Sequence, residues 1–290
     1  MSAALPPLAS RWAEAVLGHA PRSEARSDCG RCDRCAPDGP GVFFNPVTRC
    51  CTYTPELANF LVGGKLREGG EGADGLRRRI ARGPRSPLGL GRDAAWERAY
   101  AEAKAAGQFG RELSLRCPHH LDDGGCGVWA WRDAVCATWF CRHEDGAVGQ
   151  ARWRALREWL IAVQDTVAEL VAETVATRRV FEGQEEAFYL ECVEEAEGLE
   201  WEDLRHRGGS LLRTRIDALQ AAWAATPEPL PERATWSNIT TGALSDGRVR
   251  VFGYSRYDPV DIDAALFDGD REPNGPELRR LLQFRVFEAL

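Results

Sequence analysis

No stretch of this 290-residue chain comes near the ~18 consecutive apolar residues of a membrane helix, so no membrane partner is expected. The opening MSAALPPLASRWAEAVLGHA lacks a basic segment followed by a long apolar core and does not read as a secretory signal. Both absences point to a reducing, cytoplasmic setting. Lysine is scarce as well. Lys65 and Lys104 are the lysines among 37 basic side chains, leaving 35 arginines. That bias marks a GC-rich, bacterial coding sequence and says little about function. Excess positive charge is missing: the formal charge is −7, which argues against a nucleic-acid partner. No Ser/His/Asp order, phosphate loop, paired-carboxylate motif or internal repeat stands out. The residues alone therefore leave open whether the chain is an enzyme.

What is present is enough apolar residue, 44%, to bury a core, in one large domain or two modest ones. With 29 glycines and 16 prolines, many loops are expected. The unusual feature is ten cysteines, nine of them between Cys29 and Cys141. In a reducing compartment, clustered cysteines point to metal ligands or redox thiols before disulfides.

The first block runs Cys29, Cys32, Cys35, then the adjacent pair Cys50 and Cys51. Two-residue spacing lets a turn aim several sulfurs at one centre. The second block is Cys117, Cys126, Cys136 and Cys141, with a turn-forming Asp122-Asp123-Gly124-Gly125 inside it. These nine are the candidate metal ligands. His119, His120 and His143 lie beside the second block as further candidates. Cys192 stands apart on an expected helix and reads as a small buried apolar residue. Thiolates suit zinc and iron–sulfur clusters. Closely spaced cysteines with a remote Cys-Pro are also how ferredoxin-like clusters are held, so the lean is to iron–sulfur ahead of zinc. Trp129, Trp131, Trp139, Trp153 and Trp159 fall in or just after the second block and could dry the site, although core packing explains most such tryptophans.

The segments CGRCDRC…RCCTYTPEL and CPHHLDDGGCGVWAWRDAVCATWFC resemble the YkgJ-type cysteine-cluster family, known as CxxCxxCC or zinc- or iron-chelating domains. Cys117-Pro118, Leu121, Gly125-Cys126, Trp129, Arg132, Cys136 and Cys141 meet its second-segment pattern in order. The resemblance covers roughly residues 29–142. The first block is looser than the family's compact cluster, with Cys35 well separated from Cys50. The resemblance implies a metal or iron–sulfur centre and no particular reaction. Flagellin lysine methylases are among the relatives, so it also admits a cluster-dependent protein-modifying enzyme with a protein substrate. A zinc-stapled interaction module without catalysis is the third reading.

The fold class expected is mainly α. An irregular cysteine-rich metal-binding module, 1–149, precedes a helical region, 150–290, with a short β segment near the C-terminus. A short helix is expected around Trp12, Val16 and Leu17. Thr54-Pro55-Glu56 reads as a helix start, with Leu57, Phe60 and Leu61 on the helix and Gly63-Gly64 as its stop. Residues 63–92, with GEGADG at 70–75, read as a flexible glycine-rich insertion; the formal G-x-G-x-x-G there lacks the flanking strand a dinucleotide site needs. Asp93 is expected to cap a helix to about 107. Trp153, Leu156, Leu160, Val163, Val167 and Leu170 mark one buried stripe of a long helix. Further helices are expected over about 184–206, from Ser210 with Leu212, Ile216, Leu219 and Trp223, and after Pro276 with Leu278, Leu281, Leu282 and Val286. Pro227, Pro229 and Pro231 break the chain, and Val249 and Val251 suggest a strand after the Asp246-Gly247 turn.

Overall fold

The computed structural model describes residues 5–22, 24, 45, 47–106, 110–140, 145–226, 240–243, 245, 248–252 and 260–263, with 240–243, 248–252 and 260–263 described by backbone alone. Cys29, Cys32, Cys35, Cys141 and His143 lie outside these residues. So do the breaks at Pro227, Pro229 and Pro231, the Asp246-Gly247 turn and the helix expected after Pro276. Among the described residues the fold is mainly helical.

The first helix, α1 (Pro7–Leu17), starts with proline at its first position and buries Leu8, Trp12 and Val16. A two-residue strand, β1 (Leu57–Ala58), leads into α2 (Asn59–Glu68), and α3 (Gly70–Arg82) follows at once. The strands β2 (Arg85–Ser86) and β3 (Gly89–Leu90) then form a small antiparallel sheet with β1, in the order β1-β3-β2. Next comes α4 (Ala94–Ala105), which Asp93 caps as expected, accepting from Ala95 N at 2.7 Å and Trp96 N at 3.3 Å. Short 3-10 turns at Leu113–Leu115 and Trp129–Trp131 and one short helix, α5 (Ala134–Thr138), make up the second cysteine block. Three long helices follow: α6 (Gly146–Ala176), α7 (Glu185–Gly198) and α8 (Trp201–Ala224). The strands β4 (Thr240–Ala243), β5 (Arg248–Phe252) and β6 (Val260–Asp263) form a second antiparallel sheet, with Val249 opposite both Ala243 and Ile262.

The stripe on α6 is real. Trp153, Leu156, Leu160, Val163 and Val167 are buried, and Leu170 packs at the edge of the core. That face meets α7 and α8, while α2 lies along α7. Arg11 of α1 closes the far end of α7 by donating to the carbonyl oxygens of Glu197 at 3.0 Å and Leu199 at 2.9 Å.

Several expectations are corrected. The helix does not start at Thr54-Pro55-Glu56. Leu57 and Ala58 instead pair with Leu90 and Gly89 in the sheet, and α2 begins at Asn59. Asn59 is fully buried, and its side-chain amide donates to the carbonyls of Pro87 at 2.8 Å and Ala168 at 2.9 Å. That tie anchors the start of the helix to α6. Gly63-Gly64 is not a stop, because α2 continues to Glu68. The two glycines are where other groups come closest: a Cβ on Gly63 would lie 1.8 Å from Tyr189 O, and one on Gly64 2.2 Å from the Trp131 ring. The missing side chains let α2 press against α7 at Gly63 and against the Trp129–Trp131 turn at Gly64. Residues 63–92 are not a flexible insertion but carry the end of α2, all of α3, and two strands. The helix expected over 184–206 breaks at Leu199-Glu200. There Glu200 and Asp203 form a capping box that starts α8. The helix expected from Ser210 is present: α8 is two helical pieces that meet at Gly209, whose φ of 56° and ψ of −135° are non-helical, and the second piece starts at Ser210. The division expected between residues 149 and 150 falls inside α6. One continuous buried core includes Leu8, Phe60, Leu76, Leu156, Tyr189 and Leu219, from both sides of that line.

Candidate metal centre

Local turns build the two cysteine segments. Around the first, Arg49 N donates to Asn45 O, Arg49 adopts a left-handed φ of 55°, and Cys51 N donates to Thr48 O at 2.8 Å. In the second, His120 N donates to Cys117 O at 3.0 Å and Gly127 N to His119 O at 2.8 Å, with His120 bridged to Cys126. This hairpin-like knuckle folds Cys126 back toward Cys117. Asp133 then caps α5, accepting from Cys136 N at 3.0 Å. The two segments are joined directly, since Cys117 N donates to Cys51 O at 2.8 Å.

The result is a shared neighbourhood for four thiols from distant positions. Burial pushes the Cys117 thiol up to about 12, and the nearby Cys51 and Cys126 add to the rise. Burial also raises Cys126, with Cys51 contributing. Cys136 stands well above the ordinary thiol value, first through burial, then through Asp133, with Cys117 and Cys126 adding. Cys117 and Cys126 are thus each within electrostatic reach of Cys51 on one side and Cys136 on the other. Among the described residues, no three His, Cys, Asp or Glu side chains are grouped closely enough to hold a metal ion. The thiols are electrostatic neighbours and do not form a closed coordination set. Cys50 lies beside Cys51 in the same turn and is partly exposed. Cys192, as expected, is fully buried in the core on α7.

Two arginines belong to this neighbourhood: Arg132, part of the second-segment pattern, and Arg79, which was not expected near the cysteines. Arg79 of α3 donates to the carbonyl oxygens of Gly91 at 2.9 Å and Pro55 at 3.3 Å. It also contacts His119 Nε2 at 2.6 Å. It has no carboxylate partner among the described residues. Burial lowers its pKa and Cys117 opposes that shift. Arg132, 3% exposed, lies 3.8 Å from the centroid of the Trp129 ring and donates to Trp129 O. Burial lowers its pKa as well, against the pull of Cys126, Cys136 and Asp133. A signal for Arg79 was present: Ala73, Leu76 and Ile80 repeat at helical spacing, and Arg79 is next to that stripe. The glycines of 69–75 hid it. One of them, Gly72, is required by close approach, since a Cβ there would meet Gly127 O of the knuckle at 1.8 Å.

The histidines are placed differently from the ligand expectation. Arginine can only donate, so His119 Nε2 accepts from Arg79 and the proton of the neutral ring sits on Nδ1. Arg116 Nε donates to His120 Nδ1 at 3.3 Å, which puts that ring's proton on Nε2. Neither ring offers a spare lone pair to a metal. Burial, with Arg79, pushes His119 down to about 3; burial, with Arg116 and Arg49, lowers His120. The tryptophans divide. Trp153 and Trp159 belong to the core, packing on Phe140 at 4.6 Å and Trp201 at 5.7 Å. Trp131 donates to Glu68 Oε2 at 2.9 Å, and Trp129 is 47% exposed under Arg132.

No protein-family model matches the chain, and neither a curated protein nor a solved structure matches it significantly. No helix among the described residues is long and apolar enough to cross a membrane.

Proposed function

We propose that the chain is a cysteine-cluster protein of the YkgJ type that binds an iron–sulfur cluster or zinc in a reducing cytoplasm. Cys51, Cys117, Cys126 and Cys136 are its central ligands, and Cys29, Cys32, Cys35, Cys50 and Cys141 are the remaining candidates. The observation that carries this reading is the neighbourhood of four buried or half-buried thiols with the buried guanidinium of Arg132 and the half-buried one of Arg79. A partly desolvated cation is favoured by an anion close by, and Arg79 has no carboxylate partner among the described residues. Thiols raised by burial are neutral and cannot serve. Thiolates held by a metal can, because metal binding displaces the thiol proton. The donor set is chemically suited to a thiophilic centre. A bound iron–sulfur cluster would supply one-electron redox chemistry, and zinc a structural node.

The protein's own part is to position and shelter. The Cys51–Cys117 backbone bond holds the two segments together, Asp133 orients the turn carrying Cys136, and Trp129 and Arg132 cover one side.

The test is anaerobic purification with iron, zinc and sulfide analysis and an absorption spectrum. Bound iron with sulfide, or stoichiometric zinc, is expected, and its loss in Cys126→Ser and Cys136→Ser. A spectrum bleached by dithionite supports redox chemistry; colourless zinc supports the stapled module. Wild-type protein that is metal-free yet fully folded under reducing conditions overturns the reading.

A further inference from the structure

A cleft of about 330 Å³ opens beside Cys117, where α3 faces the turn over residues 116–122. His119 and His120 both line it. They are 2% and 9% exposed, yet His119 Nδ1 and His120 Nε2 have no hydrogen-bond partner among the described residues. The two tautomers make both of these atoms N–H donors, because Arg79 and Arg116 occupy the opposite nitrogens. Buried donors are normally satisfied, so two without acceptors, on adjacent residues that line one cleft, ask for a group with lone pairs.

The charges around the cleft narrow the class. Arg116 is committed to Asp122 Oδ1 at 2.7 Å and to His120 O at 3.2 Å. Arg78, exposed on the rim, makes no hydrogen bond or ion pair with a described residue. Glu71 is also on the rim and exposed, where solvent screens its charge. The interior thus offers fixed donors, and the rim an uncommitted guanidinium, a group matched to oxyanions.

We propose that this cleft binds a compact oxyanion group, a carboxylate or a phosphate, whose oxygens accept from His119 Nδ1–H and His120 Nε2–H while Arg78 closes on it from the rim. The inference goes beyond the metal reading and does not depend on it. A ligand held here would lie next to Cys117.

The full-length protein is titrated with inorganic phosphate and, separately, with acetate. Imidazole ¹⁵N–¹H correlations and calorimetry are followed, and metal is analysed in the same samples. Saturable shifts of His119 Nδ1 and His120 Nε2 are expected with at least one anion. Binding of phosphate alone identifies a phosphate ligand, acetate alone a carboxylate, and both the shared class. His120→Phe should weaken binding about ten-fold and Arg78→Gln about three-fold or more, as expected for removing a buried donor and an exposed charge. Arg78→Gln alters an exposed side chain, so it decides the matter even if His120→Phe does not fold. No saturable shift with either anion, or unchanged affinity in Arg78→Gln, overturns the proposal. Metal loss without loss of anion binding counts against the thiol reading alone.

Discussion

Cys117 N donates to the carbonyl oxygen of Cys51 at 2.8 Å, and this bond sets the register of the two cysteine segments. Under the proposed metal reading, cysteines on both sides of one bond should act as a unit. Cys51→Ser and Cys117→Ser are each expected to lose most of the bound metal, and the double variant to lose little more. Metal per chain after anaerobic purification measures this. Independent, additive losses would mean that the two cysteines serve separate centres.

Cys192 should behave in the opposite way. It is fully buried in the apolar core of α7, away from the thiol neighbourhood. Cys192→Ala is expected to keep full metal content while costing about 1 kcal/mol of stability, as a small core truncation does. A metal loss matching that of Cys126→Ser would place Cys192 in the centre after all.

The α2–α7 contact should tolerate no methyl group at Gly63. A Cβ there would sit 1.8 Å from Tyr189 O, and backbone cannot yield as a flexible side chain can. Gly63→Ala is therefore expected to cost about 3 kcal/mol or more, at the upper end of overpacking. Gly198→Ala, with open space around the added Cβ, should stay within about 1 kcal/mol of wild type. Urea unfolding of the two variants side by side checks the contrast.

Arg67 Nη1 donates to Glu197 Oε2 at 2.8 Å, joining α2 to the end of α7. Hydrogen bonding to Arg67 holds the Glu197 carboxyl below the usual range. A depressed folded-state pKa contributes stability that is present above the unfolded value, about 4.3, and is lost as pH falls through the folded value. The contribution is small because both side chains are exposed. Glu197→Gln should lower the melting temperature slightly at pH 7, and the difference should shrink below about pH 4. A difference that stays constant from neutral to acid pH would show that the pair is not its source.

Stripping the metal should loosen one segment and leave the helices folded. Residues 110–140 contribute few core side chains, chiefly Leu115, Val128, Ala134 and Ala137, whereas α2, α6, α7 and α8 share a large buried cluster. Thiolate sites stabilise such irregular segments directly. Hydrogen exchange after chelation is expected to lose protection over 110–140 and retain it in the four helices. Equal loss throughout would mean that centre and core form one cooperative unit.

Several features could be read from the chain because they depend on near neighbours. The spacing of Trp153, Leu156, Leu160, Val163 and Val167 repeats with the turn of a helix, so the buried face of α6 was legible without any partner. Asp93 caps α4 through N–H groups two and three residues on. The cysteine blocks could be recognised by their spacing. Other features were hidden because propensity pointed the wrong way. Gly63-Gly64 and GEGADG are turn formers by local chemistry, yet both lie in helices, where contacts across the fold outweigh the entropic cost of glycine.

The sequence by itself determined that this is a mainly helical chain carrying clustered thiols, since helical periodicity and thiol count are local properties. Only the tertiary structure decided which thiols are neighbours, that Arg132 is buried and Arg79 half-buried beside them, and that two arginines fix the tautomers of His119 and His120. Each of those depends on segments far apart in the chain, brought together by backbone bonds and by the close approach that Gly63 and Gly72 allow. Spacing along a sequence carries no record of such meetings.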